Sequence, residues 1–186
     1  MVHINIEFKA RCSKTAKIKK ILISRNADYK GTDYQVDTYF KVNSGRLKIR
    51  EGTIENALIY YERKDTKKPK QSKISLFPLN SNSSSSLKEI LADSLGILVV
   101  VAKQREIYFI ENVKFHVDSI QNLGTFIEVE AIDNEGTIGI EKLQEQCHFY
   151  LDLFGVSEKD LISSSYSDLI QYGHDGSDAS QSPVSP

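Results

Sequence analysis

The chain lacks most features that mark secreted, membrane-spanning or nucleic-acid-binding proteins. Its two cysteines, Cys12 and Cys147, are too few for a disulfide framework or a cysteine-based zinc site, so we expect two reduced thiols in a cytoplasmic protein. The longest apolar run, residues 97–102, has the length of a strand and falls far short of the ~18 residues of a membrane helix. The N-terminus lacks the basic-then-apolar pattern of a signal peptide. Lysine plus arginine (24) against aspartate plus glutamate (25) leaves a net charge of −1, which excludes a chain-wide cationic field for nucleic acid.

The composition indicates one globular domain with a few low-complexity segments. The 186 residues, 40% hydrophobic and 26% charged, suffice for one domain with a sizeable core. We expect a single domain over residues 1–171 and a disordered tail over 172–186, which is rich in Gly, Ser, Asp and Pro. The Asn- and Ser-rich segment 80–86 predicts a mobile loop. The basic run 64–70 contains Pro69 and no interleaved aromatics, which favours a solvated loop over a nucleic-acid patch.

Strand-like segments outnumber helical ones. Segments that alternate in polarity, or are rich in β-branched and aromatic residues, are 2–10, 32–41, 46–51, 56–64, 72–77, 97–110, 112–120 and 125–132. Segments with apolar residues at helical spacing are 14–24, 87–95, 139–154 and 158–170. This order predicts an α+β fold: an eight-stranded antiparallel barrel, closed or nearly closed, whose outer face is covered by a few α-helices.

Six of these strands carry charge on one face and apolar residues on the other. Successive strand side chains point to opposite faces, so Arg46, Lys48 and Arg50 share one face and Leu47 and Ile49 the other. In a single strand this pattern is that of an ordinary half-buried strand with its charged face in solvent. Cations spaced roughly 7 Å apart on one strand repel each other unless an anion lies between them. Repetition in six strands favours a barrel whose charged faces line the lumen.

The predicted lumen is rich in cations for a protein of net charge −1. Its seven cations are Lys9, Arg46, Lys48, Arg50, Arg63, Lys103 and Arg105, and its four carboxylates are Glu7, Asp118, Glu128 and Glu130. Buried, unpaired cations are costly, so we expect a polyanionic partner. The carboxylates suit Mg²⁺ or Mn²⁺, hard cations that take oxygen ligands and bridge phosphates. The lumen therefore predicts a site for a metal-bound polyphosphate.

Several short segments resemble one known family when taken in order. They are NIEFK at 5–9, DTYF at 37–40, GRLKIR at 45–50, YYER at 60–63, KQR at 103–105, HVD at 116–118 and LGTFIEVE at 123–130. This set resembles the CYTH domain of class IV adenylate cyclases and thiamine triphosphatases, also called triphosphate tunnel metalloenzymes. SYSDL at 165–169 is similar to the ending of bacterial CyaB-like members.

The resemblance implies an antiparallel tunnel that binds a triphosphate together with Mg²⁺ or Mn²⁺. The implied catalytic residues are Glu7, Lys9, Glu128 and Glu130. The implied metal ligands are Glu7, Asp118, Glu128 and Glu130. The implied substrate-binding residues are Lys9, Lys48, Arg50, Arg63, Lys103 and Arg105. The chain departs from the family's ExExK motif at Asn5, which stands where the first glutamate is expected, and His3 lacks the following Phe that we associate with class IV cyclases.

Two reactions fit such a tunnel, and the sequence does not separate them. ATP could be converted to cyclic AMP and pyrophosphate, or water could attack the terminal phosphate. Alternatives are a thiamine triphosphatase or inorganic triphosphatase without cyclase activity, and a non-catalytic polyphosphate-binding module, which Asn5 motivates. The expected partner is ATP, thiamine triphosphate or tripolyphosphate; we expect neither nucleic acid nor membrane, and the sequence allows a homodimer. An interaction domain using the loop 64–70 ranks last.

Four further residues on the charged faces have simpler interpretations. His116 lies beside Asp118 and is interpreted as a hydrogen-bonding residue of the lining more than a base, and a zinc role is not expected because no second His stands at ligand spacing. Tyr39 and Tyr61 are expected to fill the mouth of the lumen. Asp37 is interpreted as a structural acceptor.

Overall fold

Eight strands and four α-helices make up the fold of the described residues. The computed structural model describes residues 2–63, 66 and 68–172. In chain order the elements are β1 Val2–Arg11, α1 Thr15–Ser24, β2 Asp28–Phe40, β3 Arg46–Glu51, β4 Ala57–Arg63, β5 Lys70–Pro78, α2 Ser81–Leu95, β6 Ile97–Ile110, β7 Val113–Ile120, β8 Gly124–Asp133, α3 Ile140–Phe154, a 3₁₀ turn Glu158–Asp160 and α4 Tyr166–Tyr172. Among the described residues, no helix combines the length and apolarity needed to cross a membrane.

The strands form a closed antiparallel barrel. Each pairs with two neighbours in the order β1-β5-β4-β3-β2-β6-β7-β8, and β8 returns to β1. The register of that last pairing places Glu7 opposite Glu130 and Lys9 opposite Glu128. The predicted α+β barrel is confirmed. Closure removes every free strand edge. The inner face of the sheet then lines a lumen, and the outer face packs against helices.

The apolar strand faces point outward and carry two helices. Phe8 and Val129 are fully buried on the outside of the barrel, where they pack in one cluster with Leu22 of α1 and with Leu143 and Cys147 of α3. Both helices lie within one residue of the predicted segments. The hydrophobic core of this protein therefore lies outside the barrel, between the strands and the helices α1 and α3. The interior of the barrel holds polar groups.

The chain after α3 closes one end of the barrel and differs from the prediction. A single helix over 158–170 is wrong, because the structure has the 3₁₀ turn, an extended segment and then α4. The extended segment pairs with the end of β1: Leu161 forms a bridge with Ala10, and the Ile162 amide donates to the Lys9 carbonyl at 2.8 Å. Three consecutive serines follow, and serine side chains compete with helical backbone bonds.

Two low-complexity predictions also need correction. The segment 80–86 is not a loop, since α2 begins at Ser81; Ser84 is buried, and Lys88 donates to Glu51 of β3 at 2.6 Å. Tertiary contact outweighs the weak helix propensity of serine here. In the basic run 64–70, Lys70 is buried at the start of β5 and donates to the Ser163 carbonyl at 2.7 Å. The predicted disordered tail 172–186 is corrected at Tyr172, which ends α4. Residues 64, 65, 67 and 173–186 lie outside the described residues.

Candidate functional site

The charged strand faces line a cavity of about 420 Å³ inside the barrel. All six predicted substrate-binding cations line it: Lys9, Lys48, Arg50, Arg63, Lys103 and Arg105. Of the predicted catalytic and metal-binding carboxylates, Glu7, Glu128 and Glu130 line it as well. Arg46, predicted to be in the lumen, instead pairs with Asp168 of α4 at 3.0 Å between Nη2 and Oδ2. The predicted charged lumen is thus confirmed, with two corrections: Arg46 and Asp118 do not line the cavity, and Asp118 is buried behind it against Arg105 and Tyr166.

Among the described residues, one end of the cavity is open to solvent and α4 covers the other. At the open end β1, β4 and β7 begin and β3, β6 and β8 end, and exposed Ile54 and Asn134 mark its rim. At the closed end Tyr166 of α4 packs against Phe126 with ring centroids 5.1 Å apart and lies 3.8 Å from the Lys9 ammonium. The Tyr166 hydroxyl also donates to Asp118 at 2.6 Å. A ligand therefore enters from the end that carries Ile54.

Asp37 neutralises three of the lumen cations at once. Its carboxylate accepts from Lys48 at 2.7 Å, from Lys103 at 2.6 Å, and from Arg50 Nε and Nη2 at 2.8 and 3.1 Å. Burial alone would raise the pKa of Asp37, but Arg50, Lys103 and Lys48 hold that pKa well below its usual range. The mutual repulsion inferred from the cation row on β3 is therefore offset by a carboxylate of the protein itself.

Asp118 on β7, two strands away from Asp37 in the barrel order, likewise pairs with a lumen cation. Arg105 donates to both of its oxygens, at 2.7 and 2.6 Å, and Tyr166 donates to one of them. The same guanidinium donates to Glu128 at 2.8 Å. Each oxygen of Asp118 thus already accepts a hydrogen bond from a protein group, and the carboxylate fixes the orientation of Arg105.

Three carboxylates cluster where β8 meets β1, and only two of them are strongly paired. Glu128 pairs with Lys9 at 3.1 Å and with Arg105, and Glu7 pairs with Arg63. Glu130 contacts His116 instead, with 3.4 Å between Glu130 Oε1 and His116 Nδ1. Burial and the negative charge of Glu128 raise the pKa of Glu130 to about 7. Glu130 thus carries a charge that its surroundings leave poorly compensated.

His116 is placed as a neutral side chain between two of these carboxylates. Its Nδ1 lies 3.3 Å from Glu128 Oε2 and 3.4 Å from Glu130 Oε1. Burial, with Arg105 and Lys114 nearby, lowers the pKa of His116 to about 3. Its Nε2 is buried and has no hydrogen-bond partner within the part of the chain that the structure describes. The geometry agrees with the interpretation of His116 as a hydrogen-bonding lining residue.

This cluster fits a divalent cation. Ligand atoms of His116, Glu128 and Glu130 all lie within 4.8 Å of one another. Glu7 faces Glu130 across the β1–β8 pairing and adds a third carboxylate. Oxygen-rich sets of this kind suit Mg²⁺ and Mn²⁺. A divalent cation would supply the positive charge that is needed to compensate the Glu130 carboxylate.

Two charged residues that line the cavity, Lys114 and Glu55, were not counted among the predicted lumen charges. Lys114 lies on the same face of β7 as His116 and lines the cavity, so the period-two pattern contained the signal. Glu55 lies in the loop between β3 and β4, where no periodicity identifies the face of a side chain. With Asp37 included, seven cations and five carboxylates line the cavity, a smaller excess than predicted. Tyr39 and Tyr61 also line it, but near the closed end instead of the mouth; Tyr39 lies beside Lys48, with 3.2 Å between Oη and Nζ.

An inverted barrel with ionic groups inside and a helix-covered apolar exterior defines the class of protein. The CYTH domain model matches residues 3–166, and the chain belongs to the CYTH domain family. Among solved structures, the PH1012 protein of Pyrococcus horikoshii OT3 superposes with a TM-score of 0.75 at 23% identity, covering 89% of this chain and 98% of that one. A candidate adenylate cyclase from Vibrio parahaemolyticus gives 0.69 at 15% identity (90% and 98% covered). A candidate adenylyl cyclase from Hippeastrum with a dominant triphosphatase activity gives 0.61 at 14% identity (92% and 96%). No curated protein matches the sequence significantly.

Proposed function

We propose that this protein is a metal-dependent enzyme that hydrolyses an organic triphosphate bound inside the barrel. The observation that carries the proposal is the convergence of the six predicted cations and an acidic cluster on one cavity, whose rim carries the exposed residues Ile54 and Asn134. Phosphoryl transfer needs mainly positioning and charge neutralisation, and this lumen offers both. CYTH membership and the triphosphatase activity of the Hippeastrum protein agree with it.

The residues divide into a phosphate-binding set and a metal-binding set. The phosphate-binding set is Lys9, Lys48, Arg50, Arg63, Lys103 and Arg105. Glu128 and Glu130, with Glu7 beside them, would hold Mg²⁺ or Mn²⁺, and His116 would orient Glu128. When bound, the metal would neutralise phosphate oxygens and polarise the reacting phosphorus. The prediction that Asp118 binds metal stays a prediction, and its contacts support a role in positioning Arg105.

The outer part of the cavity supports an organic group on the substrate. Its lining near the open end contains apolar side chains, all partly exposed or exposed: Ile54, Ile74, Leu76, Phe109 and Ile132. These apolar side chains suit a nucleotide base or a thiazolium-type ring better than a bare phosphate chain. Water reaches the lumen through the same mouth, whereas cyclisation needs a ribose 3′-hydroxyl held in line with the α-phosphate. Hydrolysis is therefore the simpler reaction for this site.

Steady-state assays with identified products test this function. ATP, thiamine triphosphate and tripolyphosphate would each be supplied with Mg²⁺ or Mn²⁺. We expect a diphosphate and orthophosphate from at least one organic triphosphate. Cyclic AMP and pyrophosphate would identify a cyclase instead, and an absence of metal-dependent turnover on all three substrates would reject an enzyme.

The raised pKa of Glu130 predicts a pH dependence of metal binding. A metal ligand must be deprotonated, so binding below the Glu130 pKa of about 7 has to release its proton. We expect Mn²⁺ affinity to rise by up to about tenfold per pH unit between about pH 5.5 and 7 and to level off above, as measured by calorimetry. Glu130→Gln should remove most of this dependence. A wild-type affinity that is flat across this range would contradict the assignment.

Asn5 supports a second candidate, a binding module without turnover. It is fully buried in β1 between Ser72 of β5 and Ile132 of β8, and neither amide atom has a partner among the described residues. If the missing carboxylate is what prevents turnover, Asn5→Glu should raise metal-dependent hydrolysis more than tenfold over an inactive wild type, with tripolyphosphate affinity unchanged. Asn5→Gln, which lengthens the side chain without adding charge, is the matched control. An active wild type rejects this candidate.

A further inference from the structure

Glu55 extends a carboxylate across the open end of the barrel. Its side chain pairs with Arg50 of β3 at 3.0 Å and with Lys114 of β7, and it accepts from Gln35 Nε2 at 3.1 Å. In the barrel order, β2 and β6 lie between β3 and β7. The two cations therefore stand on well-separated walls, and Glu55 joins them at the end where a ligand enters.

The loop that carries Glu55 is held in place by other groups. Asp33 accepts from the backbone amides of Ile54 and Glu55, at 2.9 and 3.0 Å, and from the Thr53 hydroxyl at 3.0 Å. These contacts use two backbone amides and the Thr53 side chain, and they leave the Glu55 carboxylate to the lumen cations. Exchanging that carboxylate for an amide should therefore keep the loop where it is.

We propose that Glu55 is an internal competitor of the triphosphate, occupying Arg50 and Lys114 until a phosphate group displaces it. This inference rests on the proposed function, because it assumes that a phosphate chain enters the lumen. The Glu55 side chain is 26% exposed, against 10% and 13% for its two partners, so it is the member of the group with access to solvent when it leaves. A carboxylate that stayed would face phosphate oxygens at short range, where like charges repel strongly in a partly buried site.

The competition acts on the outermost phosphate. A diphosphate can bind the inner cations Lys9, Arg63 and Arg105 near the closed end. Arg50 and Lys114 then stay paired with Glu55. A triphosphate reaches further toward the mouth and has to displace the carboxylate. Glu55 therefore sets how much the third phosphate contributes to affinity, which makes it a specificity-determining residue for this tunnel.

Calorimetric titration of wild type and Glu55→Gln with tripolyphosphate and pyrophosphate tests the proposal. EDTA is included, so that the cations alone bind and no metal-dependent turnover occurs. We expect Glu55→Gln to bind tripolyphosphate about tenfold more tightly than wild type and to change pyrophosphate affinity less than threefold. Glu106→Gln is the matched control, since Glu106 pairs with Lys19 of α1 on the outside of the barrel, and it should bind both ligands as wild type does.

The outcomes separate this inference from the proposed function. If wild type binds tripolyphosphate but Glu55→Gln binds it equally or more weakly, Glu55 is not a competitor. If Glu55→Gln increases the affinity for tripolyphosphate and pyrophosphate by the same factor, the carboxylate does not act on the third phosphate. That result also overturns the inference. If wild type binds neither ligand, with or without Mg²⁺, the proposed function fails. Glu55→Ser, which removes the charge with a smaller side chain, replaces Glu55→Gln if that variant does not fold.

Discussion

Glu130→Gln should lower metal-dependent turnover by roughly 10²–10³-fold, the size of effect seen when one electrostatic contact to the reacting group is lost. The glutamine keeps the shape of the side chain but cannot carry the charge that a divalent cation needs from this position. Mn²⁺ affinity should fall in parallel, because His116 and Glu128 would remain as the nearest ligand atoms. Turnover and calorimetric Mn²⁺ binding measure the two effects separately.

The same substitution should leave the fold intact or make it more stable. Glu130 lies beside Glu128 and opposite Glu7, both of which raise its pKa by repulsion, and an amide removes that repulsion. Glu145→Gln on the outer surface of α3 is a matched control, since its side chain is 69% exposed and outside the barrel. Wild-type turnover in Glu130→Gln, or a large fall in its thermal unfolding midpoint, would contradict the role given to Glu130.

Asp37→Asn should destabilise the ligand-free protein by about 3–5 kcal/mol, the usual cost of removing one partner from a buried ion pair. The amide has nearly the same shape, but Lys48, Arg50 and Lys103 would lose the charge that offsets all three. Urea unfolding at neutral pH measures the difference. Asp152→Asn, on an exposed position of α3, is the control and should change stability little.

Ligand and pH should both modify the effect of Asp37→Asn. Under the proposed function, tripolyphosphate would bind the folded lumen and supply the missing negative charge, so we expect it to raise the unfolding midpoint more in the variant than in wild type. Because the pKa of Asp37 is held well below its unfolded value near 3.8, its stabilising effect is present at neutral pH and is lost as the pH falls below about 4. The gap between the two proteins should therefore narrow in acid. Equal stability at neutral pH would show that the three cations do not depend on Asp37.

The predictable part of the site came from strand periodicity. Lys9, Lys103 and Arg105 could be assigned to one face because alternation along a strand is a local property of the backbone. Closing the barrel then placed all of those faces inside, and the six predicted phosphate-binding residues meet in one cavity. At Glu55 the backbone is not a regular strand, so alternation does not predict which way the side chain points.

The ion pairs were less predictable from the sequence than the strand face on which each side chain lies. The row of cations on β3 indicated that an outside anion was needed, yet Asp37 on the neighbouring strand supplies a charge from within. Asp118 was grouped with the metal ligands, although Arg105 and Tyr166 hold both of its oxygens. Tyr166 reaches the lumen only because the chain after α3 folds back along β1. These partners lie 11 to 48 residues apart in the chain, and no local pattern links them.

The sequence by itself determined which side chains share a face on each strand and indicated that the lumen would be ionic, since period-two alternation is a consequence of local backbone geometry. Only the tertiary structure decided how the charges are shared: which carboxylate compensates which cation, which end is closed, and that Glu130 is left poorly compensated. The reason is that Coulomb energy and desolvation depend on distances across the lumen. Those distances are fixed by strand order, register and closure, which no single segment of the chain encodes.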